Sequence, residues 1–250
     1  MCLLKFPQSA NQSEARSIII DECVREIKEN CYTESLSGGD EINTKKRNFD
    51  QEAANWDKVP GRVKVVHDIA HSMIREITLT HDMDVLDFGC GTGLLTFALQ
   101  PFVRSITGVD SSHGMLDVFK TKIKEKNLSN VKFNYLDLDK GDVLTGSYHL
   151  VISSMTLHHV KNISPLIKQF YSILLPSGLL AVADLEPDDG QFHSNNDGVF
   201  HFGFNREDLS LIFMNAGFHN IRTLQAAEIE KPVGDGKSRI FTIFLMTARK

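Results

Sequence analysis

Residues 85–93 read VLDFGCGTG, an apolar run interrupted by one acid that passes straight into three glycines at alternate positions. A run apolar on both faces belongs inside a sheet covered on two sides. A chain gives up side chains at Gly89, Gly91 and Gly93 where the backbone must take a left-handed turn or let something approach closely. The stretch therefore asks for a buried strand, a tight turn and a helix, with a ligand or a neighbouring element against the turn.

The rest of the chain repeats that grammar. Apolar residues at helical spacing predict a helix over 61–78 (Val63, Val66, Ala70, Ile74 and Ile77). The strand at 84–89 follows, then a helix from Gly93 to Leu99 stopped by Pro101. SITGVD (105–110) reads as a strand, and the next helix, capped by Ser111 or Ser112, turns Met115, Phe119 and Ile123 inward. Strands are expected at 131–136, 148–154 and 178–186, with a helix over 163–175 before the last of them. A helix over 206–216 opens on Asn205 and ends at Gly217, and two final strands cover 220–225 and 239–247. Alternating strands and helices predict an α/β fold: a doubly wound, Rossmann-like, mostly parallel seven-stranded sheet with an antiparallel last strand and helices on both faces.

Ahead of this domain, residues 13–30 show a helical stripe (Ile20, Cys23, Val24, Ile27) after a Ser13 cap, and 33–48 read as a polar linker. The expected division is an extension over 1–47 and one domain over 48–250. In the 250 residues, 42% are hydrophobic and the net charge is −5, so no broad basic field favours nucleic acid. The four cysteines are scattered without a CxxC pair, and no run is long and apolar enough to span a membrane. The N-terminus lacks a signal peptide's apolar centre, which makes the cytoplasm the expected location.

The NAD fingerprint G-x-G-x-x-G would need its third glycine where Leu94 stands. The order is D-x-G-x-G-x-G instead. Asp87-Phe88-Gly89-Cys90-Gly91-Thr92-Gly93 resembles motif I of the class I S-adenosylmethionine (SAM)-dependent methyltransferases. The resemblance implies that the glycine backbone approaches the methionine moiety while Asp87 holds the loop or the amino group, and it makes Cys90 a small loop residue. Three more stretches carry the likeness in order. Asp110, with Ser111 and Met115 after it, matches the acid that takes the ribose hydroxyls, and Asp137 with Leu138 matches the adenine site. LVISSMTLHHV (150–160), with Ser153 and Ser154, resembles the fourth-strand motif of the small-molecule branch that includes the ubiquinone and menaquinone C-methyltransferases. FDQEAANWD (49–57) resembles that branch's upstream segment, whose aromatic, here Phe49 or Trp56, closes over SAM. One departure is His149, where the family has an acid.

What the resemblance implies is transfer of a methyl group from SAM, leaving S-adenosylhomocysteine, to a small-molecule acceptor. The DNA and some glutamine methyltransferases that resemble this fold carry D/N-P-P-Y/F after the fourth strand, and Ser153-Ser154-Met155-Thr156 stand there instead, which leaves a small molecule methylated at O, N, C or S. Docking of a protein or RNA through residues 1–45, or SAM binding without turnover, are the competing readings. His158 and His193 are the candidate catalytic groups, each able to act as a base or to orient the acceptor. His158, His159, His193 and His201 match no standard zinc spacing. His67-Asp68-x-x-His71 imitates a zinc motif but has the shorter acid and precedes the first strand of the sheet. No metal is expected at either place.

Overall fold

The computed structural model describes residues 47–234 and 236–250. The expected helix at 13–30 and nearly all of the 33–48 linker lie outside the described residues. Helix α1 spans Phe49–Glu52 and runs through a 3-10 segment, Ala53–Lys58, to α2, Pro60–Glu76. The order is then β1 (Asp84–Phe88), α3 (Leu94–Leu99), β2 (Ser105–Asp110), α4 (His113–Glu125), β3 (Val131–Tyr135), β4 (Tyr148–Ser154), α5 (Ile163–Ile173), β5 (Leu174–Leu185), α6 (Arg206–Asn215), β6 (His219–Pro232) and β7 (Ser238–Arg249).

All seven strands form one sheet in the order β3-β2-β1-β4-β5-β7-β6. The first five are parallel, and β7 runs antiparallel between β5 and β6. Strand order reverses between β1 and β4, and ligands of such sheets sit at the carboxyl end of that reversal. The alternation of side chains builds a core on each face. Val85, Leu150, Ile152, Ala181 and Ala183 pack with Ile69 and Met73 of α2 and Leu95 of α3. Leu86, Val151, Leu180 and Val182 pack on the other face with Phe170 of α5 and Phe213 of α6. Phe119 of α4 closes a third cluster with Cys90, Phe97 and Val131.

Two expectations from the sequence need correction. Strand β5 begins at Leu174 rather than 178, because Leu174 already pairs with Tyr148 before the register shifts to Leu150↔Leu179. Strand β6 continues to Pro232 instead of ending at 225. A bulge between Gln225 and Ala227 resets its alternation against β7, and a bulge hides a strand from any period-two reading. The helix caps match the sequence: Ser112 Oγ accepts the Met115 amide, and Asn205 Oδ1 accepts the amides of Glu207 and Asp208.

Candidate active site

The three glycines do different work. A Cβ at Gly89 would lie 2.2 Å from Thr156 Cγ2, and one at Gly93 would lie 2.4 Å from the Phe119 ring. Those two glycines make room for packing. At Gly91 an added Cβ meets nothing within 4 Å, and φ is +53. Gly91 is the position where the turn faces open space, as a bound group approaching the backbone requires. Its amide donates to Asp110 Oδ2 at 2.8 Å, and the Ser112 amide donates to Asp110 Oδ1 at 2.9 Å. Asp110 thus ties the glycine turn to the start of α4. Burial pushes its carboxyl up against the opposing pull of these amides.

Asp87 is buried, and its carboxylate accepts the Thr96 hydroxyl at 2.6 Å. It holds the turn against α3. Burial, only partly opposed by Thr96, pushes its carboxyl up to about 7. Cys90 is buried in the turn, its thiol likewise pushed up by burial, and a Cβ on Gly108 would touch its sulfur. That is a packing position. Met115 is buried and Ser111 is exposed. Asp137 is buried at the end of β3, where it accepts the Asp139 amide at 3.1 Å and the Tyr135 hydroxyl at 3.3 Å, with Leu138 half-buried beside it. Ser153 donates to the Phe88 carbonyl, tying β4 to β1. Ser154 Oγ is buried with no hydrogen-bond partner. Met155 follows with φ +54, a conformation that non-glycine residues adopt at a cost and that concentrates at functional turns. The turn seats Thr156 over Gly89.

Phe49 and Trp56 stand edge to face, with ring centroids 5.8 Å apart, and Phe49 meets His159 at 5.0 Å. Their segment is latched to the glycine turn by groups that sequence reasoning missed. Asp50 Oδ1 accepts Ser112 Oγ at 2.6 Å and the Gly114 amide at 2.8 Å. Asp57 accepts the Thr92 hydroxyl at 2.6 Å and pairs with Lys122. The Arg62 guanidinium covers the Trp56 ring at 3.8 Å. Nothing in a local pattern marks an acid as a long-range latch. Both do stand in the FDQEAANWD segment beside the aromatics that the resemblance picked out.

The histidines converge beyond the ends of β4 and β5. His158 is buried on a 3-10 turn, and its Nδ1 lies 2.7 Å from Oδ1 of Asp184, itself fully buried on β5. Burial opposes the Asp184 charge, but the His158 ring and the Leu185 amide more than offset it and hold the carboxyl below its usual range. His159 Nδ1 lies 2.7 Å from the Gly198 carbonyl, and His193 Nδ1 lies 3.1 Å from Nη1 of Arg47. His193 Nε2 is buried without a partner. One ring nitrogen from each of His158, His159 and His193 lies within 4.8 Å of the others. Burial lowers His159 to about 3, with the His158 ring adding to it, and lowers His193 to about 2, with both neighbouring rings adding. Both are neutral at neutral pH. His201 turns away to the Val160 carbonyl. His67 and His71 contact each other on α2, before the first strand. His149 accepts the Asp84 amide at the opposite end of β1, away from this site.

A parallel sheet of this order, with a glycine turn after β1 and acids at or just after the ends of β2 and β3, is the arrangement that the resemblance to the class I SAM-dependent methyltransferases predicts, and the comparisons with known proteins support that family for this chain. Residues 85–178 match the family described as a methyltransferase domain. An uncharacterized methyltransferase of Schizosaccharomyces pombe is 30% identical over 170 residues, covering 62% of this chain and 60% of that one. Malonyl-[acyl-carrier protein] O-methyltransferase of Priestia megaterium is 30% identical over 140 residues, covering 54% and 48%. The chain thus spans roughly half the length of the curated relatives it matches. Among solved structures, YcgJ of Bacillus subtilis superposes with a TM-score of 0.61 at 15% identity, over 74% of this chain and 98% of that one. Phosphoethanolamine N-methyltransferase 2 of Haemonchus contortus, solved with SAM, gives 0.60 at 15% identity, over 82% and 60%. At such identities these two speak for the fold alone.

Proposed function

We propose that the chain is a SAM-dependent methyltransferase acting on a small-molecule acceptor. The observation that carries this reading is the pair Gly91 and Asp110: an open turn backbone held by a carboxylate at the carboxyl edge of the sheet, beside the strand-order reversal. SAM fits the donor set because it carries an ammonium and a sulfonium and no phosphate, and buried Asp87 and Asp110 would repel a pyrophosphate. Gly89, Gly91 and Gly93 form the methionine side of the site and Asp110 takes the ribose hydroxyls. A carboxylate has lone pairs for two further hydrogen bonds besides the two amides. Asp137 and Leu138 receive the adenine, Ser111 and Met115 line the floor between them, and Phe49 and Trp56 cover the cleft.

When bound, SAM supplies a methyl group on a positively charged sulfur. The protein's share is to hold the acceptor in line and dry. The latched 47–58 segment and the loop after β5 enclose the histidine cluster for that purpose, with His158 and His193 facing the acceptor. The net charge of −5 and the Ser153–Thr156 turn support a small molecule over a nucleic acid, and the cytoplasm is the compartment we assign. Calorimetric titration with SAM, S-adenosylhomocysteine and NADH tests the cofactor. Micromolar binding of the first two and none of NADH is expected, and failure of both SAM-type ligands to bind would dismiss the reading.

A further inference from the structure

The hydrogen-bond partners of the histidine cluster say which nitrogens carry protons. Asp184 accepts at 2.7 Å from His158 Nδ1, so in the neutral ring the lone pair is on Nε2. The Gly198 carbonyl likewise puts the proton of His159 on Nδ1. Arg47 reverses the pattern at His193. A guanidinium only donates, so Nδ1 of His193 is an acceptor and Nε2 carries the hydrogen. Arg47 is itself held by two hydrogen bonds to Glu52, at 2.7 and 2.8 Å, and cannot easily turn aside. The cluster therefore presents two acceptor nitrogens and one buried N–H donor without a partner.

That pattern disfavours a metal ion, although three imidazoles within 4.8 Å suggest one. Ligation through His193 Nε2 would have to remove the hydrogen that Arg47 imposes, next to a fixed positive charge. It fits a group that both donates and accepts. We infer that the acceptor of this methyltransferase is a hydroxyl, methylated on oxygen, with His158 as its base and the His193 N–H as the donor to the developing oxyanion. The inference rests on the SAM reading above and adds the acceptor atom to it.

Oxygen is singled out by its lone pairs. An amine has one, and a hydrogen bond from His193 would occupy the pair needed for attack. A thiol sulfur is a weak acceptor that makes poor use of a buried donor. An alkoxide or phenolate oxygen accepts from His193 and still presents a pair to the methyl carbon. In the reaction the hydroxyl gives its proton to His158 Nε2, and an oxygen lone pair forms the new bond to the methyl carbon. The electrons of the carbon–sulfur bond stay on sulfur, which passes from sulfonium to neutral thioether. The imidazolium stands against the Asp184 carboxylate until its proton leaves to water. Asp184 and Arg47 are positioning residues, acting through the two rings.

The test has two arms on the full chain. In the first, histidine-labelled protein is examined by two-bond 1H–15N correlation, with His158→Gln and His193→Gln for assignment. A proton on Nδ1 of His158 and on Nε2 of His193 is expected, with the His193 pattern lost in Arg47→Met. In the second, SAM carrying a 13C methyl is incubated with a metabolite extract of the source cells, and the carbon shift shows which atom was methylated. Label on oxygen is expected, falling roughly 100-fold or more in His158→Gln and about 100-fold in His193→Phe, with SAM affinity retained. Label on nitrogen, sulfur or carbon overturns the inference. So do reversed tautomers, or stoichiometric zinc in the purified protein that disappears in His193→Ala. With SAM bound, failure to transfer label to any compound of the extract likewise overturns it. Loss of SAM binding by the wild type would instead dismiss the underlying function.

Discussion

The Asp110 carboxylate accepts the backbone amide of Gly91 at 2.8 Å, so the acid at the end of β2 grips the middle of the turn that follows β1. Two loops nineteen residues apart are joined at the carboxyl edge of the sheet by a single side chain. Asp110→Ala is expected to leave the fold intact and to weaken SAM binding at least ~100-fold, since hydrogen bonds to a charged group contribute about 1.5–3 kcal/mol each. Calorimetry alongside circular dichroism checks it. Unchanged affinity would remove the ribose assignment.

The glycines should separate by phenotype. Gly93→Ala drives a methyl into Phe119 and Phe97 and strains a positive φ, so about 2–4 kcal/mol of stability should be lost. Gly91→Ala meets no protein atom and should cost about 1–2 kcal/mol in backbone strain, yet lose SAM binding. Urea denaturation and calorimetry on the two variants compare these outcomes. Equal loss of stability in both would contradict the division between packing and ligand faces.

Asp87 makes a signed pH prediction. Its folded-state carboxyl is raised from 3.8 to about 7 by burial, so the native state holds more protons than the unfolded chain across that window. Its contribution to stability is therefore favourable at low pH and falls as pH rises through about 7. Asp87→Asn keeps an acceptor for Thr96 and removes the charge. The urea midpoint of the variant should overtake that of the wild type as pH is raised from 4 to 8. A difference between the two that does not change with pH would refute the buried charge.

The Asp50 latch can be opened alone. Asp50→Ala removes the acceptor of Ser112 Oγ and of the Gly114 amide and should cost about 1 kcal/mol at this exposed position. The larger effect should be on the 47–58 segment. Limited proteolysis is expected to cut it several-fold faster, with SAM dissociating faster in stopped flow. Asp50 is lowered chiefly by its Ser112 hydrogen bond, so the latch holds at neutral pH and is lost as pH falls through the carboxylate range. Proteolysis at the wild-type rate would show that the segment is held by its aromatics.

The parallel strands and their helices were legible because each is a local pattern: Val85 and Leu86 face opposite cores by alternation, and the Ser112 and Asn205 caps act within one turn. The glycine spacing is likewise local, while the acids at 87, 110 and 137 stood out through the resemblance to a known family. Strand β6 beyond Gln225 was not, because a bulge broke its period. His158 and His193 stood out as histidines, and Asp184 stands one residue before the end of its strand, but no spacing says that Asp184 meets one ring and Arg47 another. Alternation, capping and turn chemistry act over a few residues and so fix the elements and the glycine turn, whereas the kind of cofactor followed from the resemblance to a known family. Contacts between residues 47 and 193, 50 and 112, or 158 and 184 exist only once the sheet has assembled. The tertiary structure alone decided where each proton sits in the histidine cluster, because a ring's tautomer follows from the partner across the cleft.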